Sequence, residues 1–367
     1  MYDLFTSSNG NVDIQKEHIN NRGTYVITSG LANNGVLGKT DLGAKIFNSG
    51  TITVDMFGYS FYRGFDYKMV THARVFSLKP KFEISQNQGL FINSSFRFVN
   101  KKFGFENICT WDKIKFDYIE LPQTSEGKID FAFMEDFIAE LKAECIAELS
   151  AYLKVSGLDN YELSKEEEKA LNKFKFIDWK KYNLEELYGK STREKRLKSA
   201  DRKKGNLPFV TAGEAEEGIS AYISNSVEIF SENTTTIDMF GSAKYRNYKY
   251  GADDHVAVVH TENIPKNAAI FVTAAIHKAA HTGEFDYSKN FYAKDADELN
   301  VFLPYKDERP NYRYMSTFIS AVIKLVIKDV VLYSNSEEQM MNKVVFGSEI
   351  EGLKVADRTD TYNPHKK

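Results

Sequence analysis

The octapeptide TITVDMFG at residues 51–58 is nearly duplicated as TTTIDMFG at residues 234–241. No other feature constrains the fold as strongly, because the same 183-residue offset holds along the chain on both sides of the motif. Leu4 pairs with Leu187, Thr28 with Thr211, Gly30 with Gly213, Ala32 with Ala215, Gly35 with Gly218, and Ile46-Phe47 with Ile229-Phe230. Beyond the motif, Tyr62-Arg63 pairs with Tyr245-Arg246, Tyr67 with Tyr250, His72 with His255, and Val75 with Val258. One register kept from Leu4 to Val75 is not a chance alignment, so the chain consists of two copies of one fold.

Farther on the register slips by two residues and the pattern changes period. Met134, Ile138, Leu141, Cys145, Leu149 and Tyr152 recur in steps of three and four, the spacing of one helical stripe. Met315, Ile319, Val322, Val326, Val330 and Tyr333 repeat it at an offset of 181. The Val- and Ile-rich second copy has strand character by composition, and its matched phase with the first copy selects helix. A stripe this narrow is closer to a coiled-coil seam than to a broad globular face, so the two helices are expected to pack on each other; covering their own domains separately is the alternative. Each is expected to be roughly 35 Å long at about 1.5 Å per residue.

Between these helices and the motifs lie short β-rich runs such as GTYVITSG and ARVFSLKP, with LPFVTAG and HVAVVHTENIP as counterparts, separated by Gly, Asn and Ser turns. The expected class is α+β: two β-rich domains, each followed by a long helix, the helices forming an antiparallel coiled-coil spacer with an internal pseudo-twofold repeat. The boundaries are 1–125 for the first domain, 126–175 for the first helix and linker, 176–307 for the second domain, 308–335 for its helix, and 336–367 for a tail. LSKEEEKALNKF at 163–174 reads as a short exposed linker helix with the Ser164–Glu167 spacing of a capping box. The second copy opens with FKFIDWKKYNLEELY, whereas the first begins at MYDLF without the Trp-containing strand. The tail segment NKVVFGSEIEGL, residues 342–353, is expected to supply that strand to the first domain.

Composition narrows the function by exclusion. The chain of 367 residues is 42% hydrophobic and 14% aromatic, which is globular, and its length suits two cores. A net charge of -3 means that any nucleic-acid surface is a local patch. Two cysteines without CxxC spacing support neither a disulfide framework nor a zinc site, which fits a reducing cytoplasm. Neither a secretory leader nor an 18-residue apolar run occurs, so no membrane partner is expected.

The sequence has no G-x-G-x-x-G, Walker loop, H-E-x-x-H, G-x-S-x-G or N-P-P-Y-like tetrapeptide, and a non-catalytic chain without metal is expected. Asp55 and Asp238 could act as general acids, but a strand-end Asp before Met-Phe-Gly is better explained as the acceptor holding a glycine turn. His72 and His255 are each alone in their repeat and read as structural. The polar residues that gather are of another kind. YSFYRGFDYK at 59–68 and SAKYRNYKYG at 242–251 interleave cations with tyrosines, which suits contacts to a polyanion or, equally, a charge-guarded sheet edge. STREKRLKSADRKKG at 191–205 adds a strongly basic run, whereas the aligned SNGNVDIQKEHINNRG is far less basic.

Taken together, LFTSSNG, YVITSGLANNGV and TVDMFG in the first half, and LEELYGKSTREKRLKSADRKKGNLPFVTAGEAEEGISAY and TIDMFGSAKYRNYKYGADDHV in the second, resemble the specificity subunits of type I restriction-modification systems, including the related type IIB recognition subunits. The resemblance spans nearly the whole chain. It implies two target-recognition domains, each reading one half of a split site in duplex DNA, held apart by paired antiparallel helices. It implies no catalysis in this chain: methyltransferase subunits and a restriction or translocase subunit are the expected partners, and S-adenosylmethionine, ATP and Mg belong to them. A rod of about 35 Å spans about ten base pairs, which places the half-sites near one helical turn apart. Candidate DNA-contacting residues are Tyr62, Arg63, Lys68, Arg193, Arg196, Lys198, Arg202, Lys203, Lys244, Tyr245, Arg246 and Lys249. Type I and type IIB membership differ only in partner subunits; a tandem-repeat adaptor or glycan-binding protein using the aromatic loops is the alternative of a different class.

Overall fold

A computed structural model gives the backbone of residues 1–356 and the side chains of residues 1–340. The chain divides into two compact units, one of Met1–Leu149 together with the segment from Glu337, the other of Ser150–Ser336.

In the first unit, β1 (Phe5–Asn9), β2 (Thr24–Ile27), β3 (Val36–Thr40), β4 (Thr51–Val54), β5 (Ser60–Arg63), β6 (Tyr67–Met69) and β7 (Phe76–Pro80) form two sheets. One is antiparallel, in the order β1-β7-β4-β5; the other, β3-β2-β6, pairs β2 and β6 in parallel. The motif strand β4 is buried at all of its residues, so both of its faces are covered. On one side Phe5, Ile52, Val54, Phe76 and Leu78 pack with Ile92 of α1 (Gln86–Ser94) and with Phe96 and Val99. Ser85 starts α1 with a capping box closed by Gln88. A separate core of Val26, Ile27, Tyr67, Met69 and Val70 fills the second sheet. A short helix, α2 (Trp111–Ile114), precedes the long helix α3 (Phe131–Val155).

The second unit begins with α4 (Lys165–Lys173), β8 (Trp179–Asn183) and α5 (Leu184–Tyr188), and continues with β9 (Lys204–Val210), β10 (Ile219–Ile223), β11 (Thr234–Asp238), β12 (Ala243–Arg246), β13 (Gly251–Ala252) and β14 (Val256–Val259). α6 (Lys266–Ala280), α7 (Ala293–Glu298), β15 (Asn300–Lys306), β16 (Arg309–Pro310) and the long helix α8 (Tyr312–Ala356), up to Ser336, complete it. The sheets β12-β11-β14 and β10-β9-β13 follow the strand order of the first unit without a counterpart of β1, and the β11–β14 pairing is shifted by two residues from that of β4 with β7. Thr51 lies opposite Arg63 as Thr234 lies opposite Arg246, and Ile27 opposite Met69 as Val210 lies opposite Ala252. The Trp179 strand pairs with β15, and Trp179 stacks on Phe271 of α6.

The expected linker helix forms as α4, with Ser164 accepting from the Glu167 N–H. It is not simply exposed. Glu167 is buried and accepts from Ser320 Oγ at 2.6 Å and Lys324 Nζ at 2.9 Å, tying α4 to α8. α3 runs for 25 residues, about 37 Å, and α8 for 45, about 67 Å. The Val/Ile-rich segment is helical, as the repeat phase required.

Two expectations need correction. Of the anticipated stripe, Met134, Ile138 and Leu149 on α3 and Met315, Ile319 and Val322 on α8 are at least partly covered, but Leu141, Cys145, Tyr152, Val326, Val330 and Tyr333 are exposed. The covered face instead runs through Ile146, Ser150 and Leu153 on α3 and Val331 and Ser334 on α8. The expected stripe averages about 3.6 residues per turn and stays on one line of a straight helix, so the one-residue shift of the covered face is not set by the helical period. The buried positions still obey the repeat: Ser150 matches Val331 and Leu153 matches Ser334 at the 181 offset. The second correction concerns 342–353, which continues α8 and forms no strand; with two separated glycines, Gly347 and Gly352, and no proline, it offers nothing strong enough to stop the helix.

Candidate nucleic-acid interface

The duplicated motif builds a turn around one carboxylate. Asp55 accepts from the Phe57 and Tyr59 N–H groups at 2.9 Å each and from the Gly30 N–H at 2.7 Å. Asp238 accepts from Phe240 and Ser242 at 3.0 Å each and from Gly213 at 3.2 Å. The first two donors close the turn itself, and the third reaches across to the loop that follows β2 or β9. Asp55 and Asp238 are therefore turn acceptors. The glycine that ends each motif has φ near +80°, and a Cβ there would lie 2.9 Å from the Val99 carbonyl at Gly58 and 2.4 Å from the Ala280 carbonyl at Gly241.

The loops held by Gly30 and Gly213 share an uncommon backbone. Asn33 and Asn34 in the first unit, and Glu216 and Glu217 in the second, all have φ between +47° and +53°. Consecutive non-glycine residues in this region cost energy and persist only where surrounding structure fixes them. Here the fixing groups are the carboxylate and, in the first unit, the Arg63 guanidinium, which donates to the Asn34 carbonyl at 2.8 Å. The four side chains at the tips are exposed.

Several residues expected to touch DNA serve the scaffold instead. Arg63 and Arg246 are 2% and 1% exposed; their Nε atoms donate to Thr53 and Thr236 at 2.9 Å, and burial pushes the Arg63 guanidinium down to about 10. Lys68 is buried and donates to the Thr40 and Leu42 carbonyls. Tyr62 lies against α1, where a Cβ on Gly89 would meet its ring at 2.1 Å. Tyr245 donates to Asn233 Oδ1, and Lys244 is half-buried between Glu214 and Asp238. Both faces of these strands are covered, so alternation of Tyr with Arg or Lys leaves no cationic face. Lys249 remains exposed. His72 and His255 sit beside Asp13 and Asp254, at 2.5 and 3.0 Å, in keeping with structural roles.

The basic run of the second unit does present charge. Its backbone is pinned to acids and amides below it: Ser191 N donates to Asp297, Leu197 N to Asp253 and Lys203 N to Asn225, at 2.7, 2.9 and 2.7 Å. Arg193, Arg196, Lys198 and Lys203 then project into solvent, Arg193 with its guanidinium over the Tyr292 ring. Arg202 alone folds back, onto Ser220, the Leu197 carbonyl and the Phe209 ring. One concave surface of this unit is lined by Ser199 and Arg202 of the basic run, Thr211 and Ala212 at the foot of the strained loop, Met239 of the motif, and Tyr287. Arg202, the foot of a rigid loop and an aromatic ring on one concavity, with Asp253 and His255 beside them, suit a ligand carrying both phosphate and flat bases.

Comparison with known proteins identifies the family. The sequence model of the type I restriction modification DNA specificity domain matches residues 1–151 and again 177–269, more than half of the chain. The chain belongs to that family. The specificity subunit S.BcgI of a type II restriction enzyme from Heyndrickxia coagulans is 24% identical over 322 residues, 86% of this chain and 91% of that one. Among solved structures, the S subunit of a type I restriction-modification system from M. genitalium superposes with a TM-score of 0.57 at 16% identity, covering 94% of this chain and 92% of that one. The likeness is one of fold, and it matches the mixed two-domain architecture with long helices. No helix among the described residues is long and apolar enough to cross a membrane.

Within this specificity-family frame, sequence reasoning missed the strained tips at Asn33, Asn34, Glu216 and Glu217 and the exposed rings of Phe105 and Tyr287. A signal for the tips was present: they are unlike residues set inside an otherwise aligned stretch, between Ala32 and Gly35 and between Ala215 and Gly218. The rings lie at an offset of 182, between the two registers that were recognised, and carried no such signal.

Proposed function

We propose that this chain recognises a bipartite duplex DNA site, one unit to each half-site, as the specificity subunit of a cytoplasmic restriction-modification assembly whose catalysis and cofactors reside in partner subunits. The observation that carries this reading is a duplicated rigid frame with unlike tips. Asn33-Asn34 and Glu216-Glu217 hold the same backbone angles on the same carboxylate-tied loop. A side-chain amide suits the adjacent acceptor and donor of adenine, and a carboxylate suits the amino group of cytosine, so one frame can present two codes.

The helices support the remainder. As an antiparallel spacer, a rod of about 37 Å matches one turn of duplex. α3 leaves Phe133, Phe137 and Leu141 exposed, and α8 leaves Val326, Val330 and Tyr333 exposed. Apolar faces of this kind suit docking of methyltransferase subunits, which would bring S-adenosylmethionine, and of a restriction or translocase subunit using ATP and Mg. Likeness to subunits from both a type I and a type II enzyme leaves type IIB membership as the second reading.

Binding to random-sequence duplex across a salt series tests the interface. Replacing Arg196, Lys198 and Lys203 together by Gln should weaken binding to all sequences alike and lower the slope of log affinity against log salt by about 2.7, at about 0.9 per phosphate contact. An unchanged slope removes the basic run from the interface, and salt-independent binding favours a glycan-binding protein.

A further inference from the structure

The Phe of each motif carries a second aromatic ring. Phe105 lies edge-on to Phe57 with centroids 4.9 Å apart, and Tyr287 lies edge-on to Phe240 at 5.2 Å. These outer rings are 83% and 84% exposed. A soluble protein gains nothing in stability from a ring so bare, and a single instance would call for no explanation.

Here it is built twice, by the same device. Phe105 is the second residue of a four-residue turn in which Gly104 N donates to the Asn107 carbonyl at 3.1 Å and Asn107 N donates back to Gly104 at 3.2 Å. Tyr287 is the second residue of a turn in which Asp286 and Lys289 exchange the same two bonds, at 3.0 and 3.2 Å. Two residues past each turn the chain is anchored to the motif again: Cys109 N donates to the Met56 carbonyl at 2.7 Å, and Phe291 N to the Met239 carbonyl at 2.9 Å. The turn sequences, GFEN and DYSK, share only the aromatic character of their second position. Their supports differ too: Asn107 accepts from Lys113 and donates to the Lys102 carbonyl, whereas the Asp286 carboxylate accepts from Ser288 and from the Lys289 N–H. Unlike segments therefore deliver a ring to the same place on the same frame.

The surroundings indicate what the ring meets. Tyr287 borders the concavity it shares with Arg202 and the foot of the strained loop. Lys102, paired with Asp117, lies three residues before Phe105, and Lys289, paired with Glu284, lies two after Tyr287; both are exposed. An aromatic side chain has few rotatable bonds to immobilise, and the edge-on motif Phe already limits its direction. A single bare ring bordering a polar concavity that holds Arg202 matches the chemistry of a base step in duplex DNA better than that of an apolar protein partner, which would need a wider patch.

We propose that Phe105 and Tyr287 are aromatic wedges, each packing against an opened base step in the half-site read by its own unit. The inference rests on the DNA-recognition reading above. It is tested with the full chain, together with its methyltransferase subunit where the two co-purify, on 40-base-pair duplexes selected by the wild-type protein from a random library, with 2-aminopurine placed at successive positions. Wild type should raise the fluorescence at one step in each half-site. Phe105→Ala should abolish the signal in one half-site and Tyr287→Ala that in the other, each weakening binding by about ten- to a hundredfold, as expected for the loss of one base stack. Tyr287→Phe should retain both, and the melting temperatures should not move, since both rings are exposed. Alanine variants that keep wild-type affinity and fluorescence, or that lose only methyltransferase co-purification, overturn the wedge while leaving DNA recognition intact. A wild-type chain that selects no duplex at all removes the recognition reading and the wedge with it.

Discussion

Replacing Asp238 by Asn tests whether the motif is held by charge or by shape. The carboxylate receives three backbone N–H groups and has the Lys244 ammonium 3.7 Å from its second oxygen. An Asn side chain of nearly equal size keeps one oxygen for Phe240 and Ser242. Its amide nitrogen then faces the Gly213 N–H, donor against donor, and the Lys244 charge keeps only one acidic partner, Glu214. Two charge-assisted bonds weakened to neutral ones, with one buried donor unsatisfied, total on the order of 3 kcal/mol. For a domain of this size that corresponds to a fall of about 6 to 12 °C in the melting transition of the second unit. Differential scanning calorimetry reads the effect, and Asp55→Asn should act in the same way on the first unit, where the Gly30 bond is the shorter at 2.7 Å. A transition within about 1 °C of wild type in both variants would refute the reasoning, because the turn would then be held by its glycine and its packing alone.

Acid should loosen α4 from α8. Burial raises the Glu167 pKa, but the Ser164 N–H, Ser320 and Lys324 outweigh it and bring the group from 4.5 to about 2. A depressed carboxylate stabilises the fold fully above its unfolded value and loses that contribution as pH falls through the folded one. Urea midpoints should therefore drop between pH 5 and pH 2, and Glu167→Gln should flatten that dependence while lowering stability at neutral pH. On the helices, Val326→Asp with Tyr333→Asp should leave the melting temperature within a few degrees, since both side chains are exposed, and abolish pull-down of the methyltransferase subunit; retained pull-down would assign that face elsewhere.

The sequence disclosed the duplication, the order of the elements and the turn-holding aspartates, because each leaves its mark in local spacing. The pairing of Thr51 with Arg63, repeated at Thr234 and Arg246, follows from the motif register. Which cations reach solvent did not follow. Arg63, Arg246 and Lys68 stand in strands whose two faces are both covered, and coverage depends on α1 and on the β2–β3 and β9–β10 loops, which lie far away in sequence. The helical stripe was legible at its start, at Met134 and Met315; farther along, the covered face lies one residue on, at Ile146, Ser150 and Leu153 and at Val331 and Ser334, which the spacing does not encode. The exposed rings escaped because their turns share a shape and almost no letters.

The hydrogen bonds by which Asp55 and Asp238 grip their neighbours come from backbone N–H groups, which every residue except proline carries. Mutations can therefore rewrite the neighbouring loops, apart from the glycines at positive φ, while the grip endures. Such a molecule can acquire a new target by exchanging a few surface letters, much as a lock is rekeyed without rebuilding the door.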